Sequence, residues 1–137
     1  MRLTSFTDFG LRMLMRMAGE PTRAFSTAEF AREFGLSRNH LAKVMQRLAE
    51  GGLIETRRGS GGGAILALPP NRIKLGAVVN ILEDGHSLVE CFVTETSSCT
   101  LDGRCRLKAR LRSAESAFFA DLDLGTLADI ALPPQNH

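Results

Sequence analysis

The sequence has no apolar run approaching the roughly 18 residues needed to cross a bilayer, no internal repeat and no low-complexity tract. Those absences set aside membrane-spanning, fibrous and repeat architectures. It also lacks any Cys-x-x-Cys pair and holds only three cysteines, all between residues 91 and 105. An odd number of thiols disfavours a disulfide scaffold and moves metal or redox chemistry forward. Its glycine run at residues 59–63 lacks a Gly-Lys-Ser/Thr ending and no helix directly follows, which disfavours a nucleotide phosphate loop. Met1-Arg2-Leu3-Thr4-Ser5-Phe6 leads straight into a helical pattern without a basic cap, apolar run and cleavage site, so a cytoplasmic chain is expected. What is present is one domain's worth of chain: 137 residues, 44% hydrophobic and 23% charged, enough to bury a core without disulfide staples.

Charge is divided unevenly. Residues 1–75 carry twelve Lys or Arg against six Asp or Glu, whereas residues 76–137 carry five against nine. A basic first half suits phosphates and an acidic second half does not, so the two halves are expected to meet different partners.

Apolar Phe9, Met13, Leu14 and Met17 recur at helical spacing and predict a first helix over residues 7–18, ended by Gly19-Glu20-Pro21. Ser26-Thr27-Ala28-Glu29 has the form of a capping box and predicts a short second helix to about Phe34, with Gly35 as a left-handed stop. Ser37 is a good N-cap for a third helix over 38–50, with Leu41, Val44, Met45 and Leu48 on one face. Strands are expected over 53–57 and 64–68, joined by a basic glycine-rich turn. Two helices on a tight turn followed by a hairpin describe a winged helix-turn-helix. Helical spacing returns over 73–83, residues 84–104 read as a long loop, and a long helix resumes at Cys105. Leu107, Leu111, Ala114, Phe118 and Leu122 form a narrow stripe on it, suited to an equivalent helix of a second subunit. The expected fold is therefore mainly α: a winged helix-turn-helix DNA-binding domain over 1–72 with a two-stranded wing, a connecting helix and cysteine loop over 73–104, and a C-terminal dimerisation helix and tail over 105–137.

On the third helix, His40, Lys43 and Arg47 fall away from the apolar stripe, with Arg38, Asn39 and Gln46 nearby. A helix that packs on one side and enters a major groove on the other needs this division, because Arg reads guanine and Asn or Gln reads adenine. The plain alternative is a solvated helix face. The wing favours DNA: Arg57 and Arg58 abut Gly59-Ser60-Gly61-Gly62-Gly63, where a small-residue backbone can approach a phosphate or a narrow minor groove. Ser37, Arg38, Asn39, His40, Lys43, Arg57, Arg58 and Ser60 are the candidate contacts to a double-stranded operator, read by a dimer.

Cys91, seven residues, Cys99, five residues and Cys105 form a compact set of soft ligands in a polar segment. Thiolate is the ligand iron-sulphur clusters and zinc prefer. Structural zinc generally takes four ligands including a close cysteine pair, which is missing; a thiol switch needs only two of the three; inert thiols tend to lie in apolar periodic segments. A cluster fits best among these. Arg104, Arg106 and Lys108 beside Cys105 favour its thiolate.

Leu3-Thr4-Ser5-Phe6-Thr7-Asp8-Phe9-Gly10-Leu11-Arg12, Leu36-Ser37-Arg38-Asn39-His40, Arg57-Arg58-Gly59-Ser60-Gly61-Gly62, Ser87-Leu88-Val89-Glu90-Cys91 and Cys105-Arg106-Leu107-Lys108 resemble the NsrR-type repressors. These are nitric-oxide sensors in the group of iron-sulphur winged-helix regulators that also holds IscR and RirA. The resemblance runs in order from residue 1 to about 130. It implies a homodimer with one iron-sulphur cluster per subunit, four-iron in preference to two-iron, held by Cys91, Cys99 and Cys105. It implies a fourth, carboxylate ligand from the partner's first helix, a position that matches Asp8, with Arg12 pairing that carboxylate. Read from the residues alone, Asp8 and Arg12 are an ordinary i,i+4 surface pair. The expectation is a transcriptional repressor that releases operator DNA when nitric oxide damages the cluster. The nearest alternative keeps the fold and changes the signal to iron or cluster supply, as in RirA or IscR. A thiol-disulfide redox enzyme is the alternative of a different class, and the missing Cys-x-x-Cys speaks against it.

Overall fold

The computed structural model describes residues 3–57, 63–83 and 106–134. Helix α1 runs Ser5–Gly19 and starts at Thr4, whose side chain accepts from the Thr7 amide at 3.2 Å. Helix α2, Thr27–Phe34, carries the full capping box: the Glu29 amide donates to Ser26 Oγ at 3.1 Å, and the Ser26 amide donates to Glu29 Oε1 at 3.4 Å. Gly35 stops it at φ +68°, a left-handed conformation that a side chain would strain. Helix α3, Arg38–Glu50, begins at Ser37, whose hydroxyl accepts from the His40 amide at 3.2 Å. The caps of α2 and α3 are those expected, whereas α1 starts two residues before its apolar spacing, at a Thr4 cap that spacing does not mark.

Strands β1 (Ile54–Arg57) and β2 (Gly63–Leu66) pair antiparallel with Ile54 opposite Leu66 and Arg57 opposite Gly63. Each is one residue shorter than expected, and β2 starts one residue earlier and ends two earlier than its pattern suggested. The hairpin does not stand alone. Phe25, just before α2, exchanges two backbone hydrogen bonds of 2.8 Å with Ala64, so β2 of the wing is stitched to the helix-turn-helix near the turn end of the hairpin.

After a 3-10 turn at Pro70–Arg72, helix α4 spans Leu75–Leu82 and helix α5 spans Arg106–Leu122. A second 3-10 turn at Leu127–Ile130, which periodicity did not announce, carries the chain back to the first half. Its Leu127 is fully buried and its amide donates to Ile73 O at 2.8 Å; two turns on, the Leu132 amide donates to Met15 O at 3.0 Å. Gly76 lets α4 lie close to α5: a Cβ there would stand 2.8 Å from Phe119 O.

One core joins these pieces. Met13, Leu14 and Met17 of α1, Phe25 and Phe30, Leu41, Val44 and Leu48 of α3, Ile54, Ile73, Val78, Leu82 and Leu127 are all buried in it. Each such side chain contributes about 1.5–3 kcal/mol by leaving water. Arg16 adds a polar tie between α1 and α2: its Nε donates to Glu33 Oε1 at 2.8 Å and its Nη1 lies 3.6 Å from Glu20. Nη1 is buried and makes no hydrogen bond, so Glu20 compensates it by charge across that longer gap. Among the described residues no helix is long and apolar enough to cross a membrane.

Candidate nucleic-acid interface

Helix α3 is positioned from behind. Leu41, Val44, Met45 and Leu48 are buried against α1, α2 and the wing, which fixes the rotation of the helix about its axis. That rotation leaves Ser37, Arg38, Asn39, His40 and Lys43 exposed together at its N-terminal half. The Ser37 hydroxyl is engaged in capping, so its contribution to an anion is the free amides of the helix start it stabilises. Arg57 is exposed at the end of β1.

Arg47 departs from the outward row that sequence spacing gave it. It is half-buried, its Nη1 donates to Ile81 O at 3.4 Å, and its guanidinium lies 6.0 Å from the Phe6 ring centroid. The cause is α4, which packs along the C-terminal half of α3 and gives the long side chain a carbonyl to meet. Gln46 likewise turns along its own helix and donates to Glu50 Oε1 at 3.1 Å. The outward basic surface is thus the first two turns of α3.

On the exposed side of α1, Arg12 Nη2 stands 3.0 Å from Asp8 Oδ2, with the two side chains 55% and 51% exposed. A pair so open to solvent is worth about 0.2–1 kcal/mol, so the fold does not depend on it. Asp8 has its carboxylate facing outward beside a more demanding arrangement. Glu83, at the end of α4, receives three hydrogen bonds from the start of α1: Thr4 Oγ1 and Thr7 Oγ1 each donate to Oε2 at 2.6 Å, and the Thr4 amide donates to Oε1 at 3.2 Å. The carboxylate also lies at the positive end of the α1 dipole. These bonds tie the C-terminal end of α4 to the N-terminal end of α1, the turn that carries Asp8. Sequence reasoning missed Glu83. The only signal was an acid directly after a helical run.

Arg58, Ser60, Cys91, Cys99 and Cys105 lie outside the described residues. Among the described residues no three His, Cys, Asp or Glu side chains gather as a metal site.

A capped helix-turn-helix, a paired wing stitched to it and a second helix showing a basic face outward define a winged-helix transcriptional regulator. Residues 3–132 match Rrf2, described as an iron-dependent transcriptional regulator family, and the chain belongs to that family. It is a DNA-binding regulator and not an enzyme. Within the family its relatives include HTH-type transcriptional regulators NsrR: that of Halalkalibacterium halodurans is 44% identical over 95% of this chain and 90% of the relative, and that of Bacillus subtilis 40% identical over the same shares. Among solved structures, CymR, the global cysteine regulator of B. subtilis, superposes with a TM-score of 0.75 at 26% identity, covering 96% of each chain. IscR of T. potens superposes with a TM-score of 0.72 at 24% identity over 95% of this chain and 85% of that one.

Proposed function

We propose that the chain is a homodimeric repressor that releases operator DNA when nitric oxide reaches an iron-sulphur cluster held by Cys91, Cys99 and Cys105, with Asp8 of the partner subunit completing the ligand set. In this reading residues 1–72 read DNA, 73–104 connect and bind the cluster, and 105–137 pair the subunits. The observation that carries it is the outward Asp8 carboxylate, half-exposed and paired at 3.0 Å with an equally exposed Arg12, which leaves its oxygens open to a second chain. Three thiols and one carboxylate are a donor set that suits iron, with the oxygen the weaker and more exchangeable partner. When bound, the cluster supplies an iron centre open to a small diatomic ligand. The relatives named NsrR support this signal over others.

The chain's own residues do the rest. Arg12 orients the Asp8 carboxylate from 3.0 Å. Glu83 fastens the end of α4 to the first turn of α1, and α1 packs directly on α3. A rearrangement at Asp8 therefore acts on the element that supports the DNA-reading helix. Arg38, Asn39, His40 and Lys43 enter the major groove, the amides capped by Ser37 meet a phosphate, and Arg57, Arg58 and Ser60 of the wing meet the adjacent backbone or minor groove. The coupling needs a few kcal/mol between two dimer geometries.

Anaerobically purified protein is expected to be brown, to retard operator DNA in a gel, and to lose both properties together as nitric oxide is titrated in. Colourless, iron-free protein that holds its operator at full strength would overturn the proposal. The family's description as iron-dependent favours a second reading in which iron supply is the signal. Release on iron depletion but not on nitric oxide would select it.

A further inference from the structure

Phe9 is a large aromatic on α1 that belongs neither to the core nor to the apolar side chains packed against the core. It is half-buried all the same. What it meets is the recognition helix: its ring stands edge-on to the His40 imidazole, with centroids 5.5 Å apart and planes at 87°. On its other side the Arg12 guanidinium lies 5.9 Å from its centroid. His40 is exposed in the first turn of α3, between Asn39 and the outward Lys43. An exposed imidazole left to itself samples several rotamers, and each rotamer presents its nitrogens to a different place. An edge-to-face contact removes that freedom before DNA arrives, and the entropy of ordering is then not charged against binding.

From this placement we infer that Phe9 is a positioning residue for operator specificity, holding the His40 imidazole in the orientation that reads a base edge. The inference rests on α3 being the DNA-reading helix, and assigns to α1 a part in sequence choice as well as in support. An aromatic pair of this kind is worth about two- to twelvefold in an equilibrium constant, which is the effect expected on the preferred duplex. Binding to arbitrary sequence runs mainly through phosphates and is expected to be indifferent to it.

The test uses the full-length, anaerobically prepared protein and a random-sequence duplex pool. The duplex enriched by the wild type and a scrambled version of it are then titrated with Phe9→Leu, Phe9→Tyr, His40→Ala and the Phe9→Leu/His40→Ala double variant. Phe9→Leu is expected to weaken the enriched duplex two- to twelvefold and leave the scrambled one unchanged; Phe9→Tyr, which keeps the ring, restores wild-type preference. In the His40→Ala background Phe9→Leu is expected to add nothing. Equal weakening of both duplexes, or losses that multiply in the double variant, would overturn the inference. So would His40→Ala binding the enriched duplex as the wild type does. Those outcomes leave the DNA-reading assignment of α3 intact, whereas a wild type that enriches no sequence removes that assignment and the inference with it. If Phe9→Leu fails to fold, Phe9→Met takes its place with the same expectations, and His40→Ala binding the enriched duplex as the wild type does overturns the inference with either variant.

Discussion

Helices α3 and α5 are both amphipathic, yet only one is finished within the chain. Helix α3 buries Leu41, Val44, Met45 and Leu48 and turns its charges outward. Helix α5, the longer at 17 residues, buries none of its residues, and Leu107 near its start is 62% exposed. Leu111, Phe118 and Leu122 of its stripe are only half-buried, as is expected of a helix that keeps apolar surface for a second subunit. The contrast separates two uses of one sequence pattern: in the first half a stripe closes a core, and in the second it stays partly open, which is what the proposed pairing of subunits requires.

The strongest way to break that contrast is to truncate both stripes. Leu48→Ala is expected to cost about 2–5 kcal/mol in denaturant unfolding, from lost burial and the cavity left behind. Leu111→Asp is expected to leave the fold standing and convert the dimer to a monomer in sedimentation. If Leu111→Asp instead unfolds the chain at every concentration, α5 is finished within one subunit and the contrast is wrong. The outward face of α3 is the next test. Removing Arg38, Asn39 and Lys43 together as alanines is expected to weaken operator binding by roughly a hundredfold or more, at about 1–3 kcal/mol for each base contact, with sedimentation unchanged.

Two smaller effects sharpen the picture around α1. Glu83→Ala leaves Thr4 and Thr7 without their shared acceptor and is expected to lower stability by about 1–3 kcal/mol, read by thermal melting. Asp8→Asn breaks an exposed pair and is expected to change stability by no more than about 1 kcal/mol. The absorption spectrum of the anaerobic protein is nevertheless expected to change. Dimers mixed from Asp8→Ala and Cys91→Ala chains decide which subunit supplies the oxygen: one complete site in the mixed dimer places it across the interface, and none places it within one chain.

Much of the fold was legible because its signals are local. Ser26 with Glu29, Gly35 and Ser37 act over three or four residues, and a neighbour in sequence is a neighbour in space. The exposed cluster of Arg38, Asn39, His40 and Lys43 followed from the period of one helix. What escaped was made by residues far apart in the chain. Glu83 meets Thr4 and Thr7 across 79 and 76 positions, and Arg47 reaches Ile81 across 34. Phe25 pairs with Ala64 through a single bridge, which has no period to detect. Leu127 is buried from a short turn in which helical spacing is never sustained. No periodicity encodes which distant surfaces close on one another, and Arg47 shows the consequence: a cation placed on the outer row by spacing is drawn inward by a helix that spacing announced but did not place against it.

The return of the C-terminal segment to α1 and α4 has a mechanical consequence. Bonds at Gly125, Leu127 and Leu132, with Gly76 giving close approach at Phe119, fasten α5 near its end and leave the beginning standing away from the core. A rod of 17 residues is about 25 Å long, so a pivot of some 5° at the fastened end sweeps the other through about 2 Å. Arg106, at that far end, follows directly on Cys105 in the sequence. A disturbance too slight to unfold anything is thereby magnified into a displacement on the scale of a missed hydrogen bond.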